Sequence, residues 1–147
     1  MEKGGNIVKN RKKKWLLAGL LLVVLLISYF SNPFLRVKTF IYLHHDQIEE
    51  SLLDHNGVPV ISGVRSVNTW PGEHEMTEFI LICSGFGSET TYYGCYYSWD
   101  DVPLVFQNGK EHLVQHGHEY WKWQGKGDNR GATQKILDHW YYFEASF

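Results

Sequence analysis

Residues 15 to 35 carry no charge, and the four residues before them are Arg11, Lys12, Lys13 and Lys14. Within this stretch, Trp15 to Phe30 reads WLLAGLLLVVLLISYF. At about 1.5 Å per residue, a helix over residues 15–35 would be about 31 Å long, close to the thickness of a bilayer's hydrocarbon layer. Lipid offers no partner to a backbone N–H or C=O, so a single span there must be helical. Only Arg36 and Lys38 follow closely on the other side. The excess of basic residues before the span places the N-terminus in the cytoplasm. Trp15 at one end and Tyr29 with Phe30 at the other suit the two interfacial belts.

A cleaved signal peptide would share the basic start and the apolar middle. The SYFSNPF that follows has no small-x-small cleavage site and no lipobox cysteine, so the retained anchor is the favoured reading over a cleaved signal or a buried cytoplasmic helix. The predicted organisation is a basic cytoplasmic tail over 1–14, a transmembrane helix over 15–35 and an extracytoplasmic α+β domain over 36–147. The predicted location is the cell membrane, crossed once.

Charge divides the chain in the same way. Residues 1–14 hold six Lys/Arg against Glu2, a net +5. The remaining eight Lys/Arg and fifteen Asp/Glu all follow the span, which leaves a net −7 there. An acidic domain lacks the basic face that nucleic acid requires, and nucleic acid is excluded as a partner on that ground.

Asn32-Pro33 is a helix-start signal, a capping side chain followed by proline at the first helical position. Phe34, Val37, Ile41, Ile48 and Leu52 then keep helical spacing. A helix is predicted from Pro33 to Asp54, with a break near His45, where Asp46 and Glu49 form a local capping box. Asn56-Gly57 would end it. The aromatic and β-branched KTFIY leaves a short strand open for residues 36–44.

Beyond Gly57 the chain reads as strands and turns. Strands are predicted at Arg65–Trp70, Glu75–Ser84, Thr90–Ser98, Leu104–Gln107, His118–Gln124, Thr133–Leu137 and Trp140–Ser146, the last two forming a hairpin about Asp138-His139. The expected fold is α+β: one helix on a strongly curved antiparallel sheet of six or seven strands in meander order.

The blocks TYYGCYYSWDDVPLVFQN, WKWQGKGDNRG and KILDHWYYFEASF resemble those of small single-pass membrane proteins of Gram-positive bacteria. The resemblance covers most of residues 33–147. It implies a bacterial cell-membrane setting and carries no activity, ligand or functional residue with it.

Several constellations bear on chemistry. His112, His116 and His118 form an HxxxHxH cluster beside Glu111 and Glu119, residue types that suit zinc, copper or nickel. Gly117 interrupts the strand they would need, so the cluster reads as a polar hairpin tip and no metal or cofactor is assigned. Asp100, Asp101, Asp128 and Glu144 supply carboxylates, and paired carboxylates act only at defined separations. Asp100 to Pro103 reads as a turn. GKGDNRG has the glycines of a phosphate loop but neither a GK[ST] ending nor a following helix, and reads as a turn. Cys83 and Cys95 would lie about 13 Å apart on a tight hairpin, beyond the roughly 7 Å a disulfide tolerates.

Twenty of the 23 aromatic residues follow the span. Consecutive aromatics on strands must occupy both faces of a sheet. One face builds the core; the other is either covered or offered to a partner. Tyr92, Tyr96, Trp121, Trp123 and Tyr142 are the predicted contact residues, of a type suited to envelope proteins or glycans. The expected function is a membrane-tethered binding or accessory module. A subunit of an envelope membrane complex and a small metal- or carboxylate-dependent enzyme are the alternatives, and no nucleophile-base signature supports the enzyme.

Overall fold

A computed structural model describes residues 4–54, 57, 60–86 and 89–147, with side chains from residue 14 onward. The chain divides into two compact units, Met1–Arg36 and Val37–Phe147. In the first, helix α1 spans Gly4–Ser31, so the basic tail and the apolar stretch form one continuous helix. Its Lys14–Ser31 segment is long and apolar enough to cross a membrane, and none of it is buried.

Helix α2 spans Pro33–Leu53. Asn32 separates the two helices: its Oδ1 accepts the Leu35 N–H at 3.3 Å, the bond an N-cap makes to the third helical residue. The uncharged 15–35 stretch is therefore not one helix, because the Asn32-Pro33 start signal interrupts it. No break occurs near His45, and residues 36–44 are helical rather than extended. The buried stripe of α2 is Val37, Phe40, Ile41 and Ile48. Asn56, the expected stop residue, lies outside the described residues; Gly57 has the left-handed φ of +77°.

The second unit holds seven strands: β1 Ser66–Trp70, β2 Met76–Phe86, β3 Glu89–Ser98, β4 Val114–Gly117, β5 Tyr120–Gln124, β6 Arg130–Leu137 and β7 Trp140–Ser146. They form one open antiparallel sheet in the order β1-β2-β3-β7-β6-β5-β4. The α+β architecture read from the sequence is the one observed. The order departs from a simple meander at one place. Two meanders, β1–β3 and β4–β7, join through β3 and β7, with Tyr96 opposite Tyr141.

Residues 99–113 must connect β3 to β4, at the far edge. Leu104–Gln107, a predicted strand, is not one: Leu104 and Val105 are irregular and Phe106–Asn108 is a 3-10 turn. Gln107 and Asn108 both take left-handed φ, 56° and 52°, which no strand accommodates. Val114–Gly117 forms β4 rather than part of a polar tip. Arg130 and Gly131 begin β6 instead of ending the preceding turn.

The connecting segment covers one face of the sheet. Leu104, Val105 and Phe106 pack with Met76, Ile80, Tyr96, Trp123, Tyr141 and Phe143 in one buried cluster. Phe106 stacks near-parallel on Tyr92, with centroids 5.5 Å apart, and Tyr96 stacks on Tyr141 at 5.1 Å. Two glycines make room for the rings. A Cβ at Gly94 would stand 2.9 Å from the Phe143 ring, and one at Gly131 would stand 2.6 Å from the Trp123 ring.

On the opposite face, Phe79 contacts Trp140 at 5.8 Å between centroids. Trp140 Nε1 donates to Glu49 Oε1 at 2.6 Å, which fixes α2 against this face. The cysteines are both free: Cys83 is paired with Tyr92 and Cys95 with Phe79, three positions apart along the β2–β3 ladder.

A buried polar chain runs through the centre. The Leu104 N–H donates to Tyr96 Oη at 2.8 Å, Tyr96 Oη–H to Thr133 Oγ1 at 2.7 Å, and Thr133 Oγ1–H to the Tyr142 carbonyl at 3.0 Å. Every member is satisfied, and removing the Tyr96 hydroxyl leaves the buried Leu104 N–H without its acceptor. Tyr96→Phe is expected to cost about 1–3 kcal/mol, the usual penalty for an unsatisfied buried polar group. Chemical denaturation of the full chain in detergent measures this; a change below about 0.3 kcal/mol would contradict it.

Candidate functional site

The sheet alternates side chains between its two faces, so the register decides which groups meet. On the face opposite the covered one, Val114, Lys122, Ala132 and Glu144 form one cross-strand row over β4, β5, β6 and β7. Gln124, Arg130 and Ser146 form the next row. Ala132 is buried and small, so it makes a low floor between Lys122 and Glu144. These residues, with His112 and His116, line a cleft of about 610 Å³. That volume lies in the range of small-ligand sites. A smaller polar cleft of about 390 Å³ adjoins it through Arg130 and Ser146, adding Glu89, Thr91 and Asp128.

The charges in the larger cleft are arranged apart. The backbones at Lys122 and Glu144 lie two strand spacings from each other, about 10 Å, and the two side chains make no ion pair with each other. Among the described residues, neither Lys122 nor Arg130 makes an ion pair. The Lys122 ammonium lies 5.7 Å from the centre of the Tyr120 ring. Glu144 Oε2 accepts the Tyr142 hydroxyl at 3.3 Å. Burial pushes the Tyr142 phenol up, and the Glu144 charge beside it adds to the rise, so the phenol stays a donor.

The five predicted contact residues fall elsewhere. Tyr96 is fully buried, and Trp123 and Tyr142 are 6% and 5% exposed. Tyr92 and Trp121 are half-buried against the same cluster that holds Tyr96. The structure does not bring the five together as one exposed surface. Tyr92, Tyr96, Trp121 and Trp123 face the connecting segment, and Tyr142 lies on the other face. The connecting segment is the cover over the first four.

Of the three histidines, His112 and His116 line the cleft, while His118 sits in the β4–β5 turn beside Glu119. Among the described residues, no group of three or more His, Cys, Asp or Glu is placed to hold a metal ion. Of the four candidate carboxylates, Glu144 is in the cleft and Asp128 in its extension. Asp100 pairs with His74 at 3.0 Å.

Asp101 is a structural hub. Its carboxylate accepts from Lys135 Nζ at 2.5 Å, the His139 N–H at 2.8 Å and the Tyr141 hydroxyl at 3.1 Å. Partial burial pushes its carboxyl up, but the three donors outweigh that and hold it below the usual range.

Sequence reasoning misses Lys122, Gln124 and Ser146, which belong to no chemical motif, and passes over Arg130 by reading GKGDNRG as a turn. The signal for the first two is the alternation WKWQ, in which Trp121 and Trp123 take the core face and Lys122 and Gln124 the other.

Glu78 is the one fully buried carboxyl among the described residues. It lies beneath the connecting segment and accepts the Gln107 N–H at 3.1 Å on Oε2, while Oε1 has no hydrogen-bond partner. Burial pushes its carboxyl up, against the pull of the Gln107 N–H and the nearby Trp70 and Asn68 side chains.

Comparison with known protein families, with curated proteins and with solved structures finds no match for this chain.

Glu78 and Asp101 act oppositely on stability. A raised folded pKa means that the folded state holds the Glu78 proton longer than the unfolded chain does. Stability should therefore fall as pH rises from the ordinary carboxylate value through the raised one. The lowered Asp101 pKa has the reverse effect, and its contribution is lost as pH falls below the ordinary value. Denaturation of the wild type and of Glu78→Gln from pH 4 to 8 checks the first effect. The wild type should lose stability relative to the variant as pH rises. A constant difference across that range would contradict it.

Proposed function

We propose that the chain is a membrane-tethered binding module. In this reading α1 anchors it through the Lys14–Ser31 segment, the basic end lies in the cytoplasm, and the Val37–Phe147 unit faces the other side with its cleft open to the envelope. The observation that carries the tether is that none of that segment is buried, in a helix long and apolar enough to span. Leu16, Leu17, Leu20, Leu21 and Leu22 are all more than half exposed, and lipid is the environment that such a surface fits. The charge asymmetry supports the orientation. The resemblance of the domain's sequence blocks to small Gram-positive membrane proteins supports a bacterial cell membrane as the setting.

The binding role rests on the cleft, a concave site on the sheet whose cations make no ion pair among the described residues. This moves the contact surface from the five aromatics to the residues of β5, β6 and β7. Envelope proteins and glycans are the partner classes this reading favours, and the acidic domain argues against nucleic acid.

The tether and the orientation are tested together. The protein should stay with membranes after alkaline carbonate washing and keep its N-terminus near Met1. A reporter enzyme active only outside the cytoplasm, fused after Phe147, should be active. A mature N-terminus near Ser31 or Asn32 would show a cleaved signal instead, and activity from a cytoplasm-only reporter would reverse the orientation.

A further inference from the structure

Taking the binding-module reading as its basis, we infer that the cleft over β5, β6 and β7 binds an oxyanion, a phosphate or carboxylate group, on a ligand that also offers a hydrogen-bond donor to Glu144. Lys122 on β5 and Arg130 on β6 are same-face diagonal neighbours, since Lys122 is opposite Ala132 and Arg130 opposite Gln124. Such diagonal positions lie about 7–8 Å apart, so two long basic side chains there can reach one group, Lys122 by swinging away from the Tyr120 ring it lies against. Neither is neutralised by an ion pair among the described residues. In a domain of net charge −7, two adjacent cations without an ion pair among the described residues are against the local trend, even with Glu89 and Asp128 lining the adjoining cleft beside Arg130.

The surroundings select further. Arg130 presents a planar fork that fits a phosphate or carboxylate through two parallel bonds, and Lys122 supplies a point charge. His112 and His116 stand on the β4 side of the same cleft and can donate ring N–H groups to the anion. Gln124 and Ser146 flank Arg130 on its own row and supply neutral polar contacts. At the other side Glu144 is an acceptor, and across Ala132 its backbone is about 10 Å from that of Lys122. Lys122 and Glu144 do not pair across this gap, which leaves room for a ligand whose anionic end meets the cations while a hydroxyl or ammonium meets Glu144. A simple anion uses only the first half of the site.

A free small anion and a lipid headgroup share this chemistry, and the probes separate them. The full chain is placed in nanodiscs of phosphatidylcholine alone, and binding of inorganic pyrophosphate and of citrate is measured by calorimetry. The same protein in phosphatidylcholine discs is then presented with vesicles containing phosphatidylglycerol. Saturable one-to-one binding of at least one probe is expected. Lys122→Ala with Arg130→Ala should weaken it roughly a hundredfold, about tenfold for each charge-assisted hydrogen-bonding group removed. Glu144→Ala should hold or strengthen the affinity for a simple anion by severalfold, because it removes a like charge; a variant without its native fold could not do this. Preference for pyrophosphate or citrate identifies a soluble ligand, and preference for the vesicles identifies a headgroup. No saturable binding to any probe, or binding unchanged in the double variant, would overturn the inference. A chain that stays membrane-integrated yet binds nothing would do so without touching the tether.

Discussion

One cross-strand row anchors the segment that joins the two halves of the sheet in the Val37–Phe147 unit. Asn68, Glu78, Tyr96, Tyr141 and Lys135 lie opposite one another across β1, β2, β3, β7 and β6. The segment leaving β3 runs along this row and is bonded to it at three places. The Tyr141 hydroxyl donates to the Asp101 carbonyl, the Leu104 N–H donates to Tyr96, and the Gln107 N–H donates to Glu78. A segment buried over aromatic rings without strand partners must find partners for its backbone groups elsewhere. The row's side chains are those partners. They let the chain travel from β3 to the far edge and return through β4–β7 to close the sheet at β3–β7.

The remaining arrangement follows from that crossing. The covered face takes the rings of Tyr92, Tyr96, Trp121 and Trp123, so no aromatic platform is left there. On the other face α2 is fixed by the Trp140–Glu49 bond. The rows through Lys122 and Arg130 stay open as the cleft. The same crossing buries Glu78, whose Oε1 has no partner in the core. It also draws Asp101 down onto Lys135, where three donors offset its burial.

The sequence is legible where the physics is local. Asn32-Pro33 marks the start of α2 because capping needs only neighbouring residues, and the Asp138-His139 turn is legible for the same reason, with His139 taking the left-handed φ of 65°. Leu104–Gln107 has the apolar composition of a strand, yet its hydrogen bonds go to side chains of β2 and β3, such as Glu78 and Tyr96. The stretch from 15 to 35 is uniformly uncharged, so charge alone sets the end of the span at Leu35 although the same sequence starts a new helix at Pro33. Alternation alone separates the two faces of the aromatic strands, but it does not say which face is covered, since that depends on the route of residues 99–113. The cleft is the least legible feature. His112, His116 and Glu144 are visible as candidates, but their grouping with Lys122 and Arg130 exists only in the β5–β6–β7 register.

In the proposed topology this cleft opens on the side of the membrane opposite the basic tail. Thiol accessibility tests that placement most directly. In a Cys83→Ser background, with Cys95 fully buried, Gln124→Cys places one reactive thiol at the cleft. A membrane-impermeant maleimide applied to intact cells stripped of any outer barrier should label it as fully as it does after the membrane is opened. Labelling that appears only once the membrane has been opened would put the cleft on the cytoplasmic side and contradict the proposed topology.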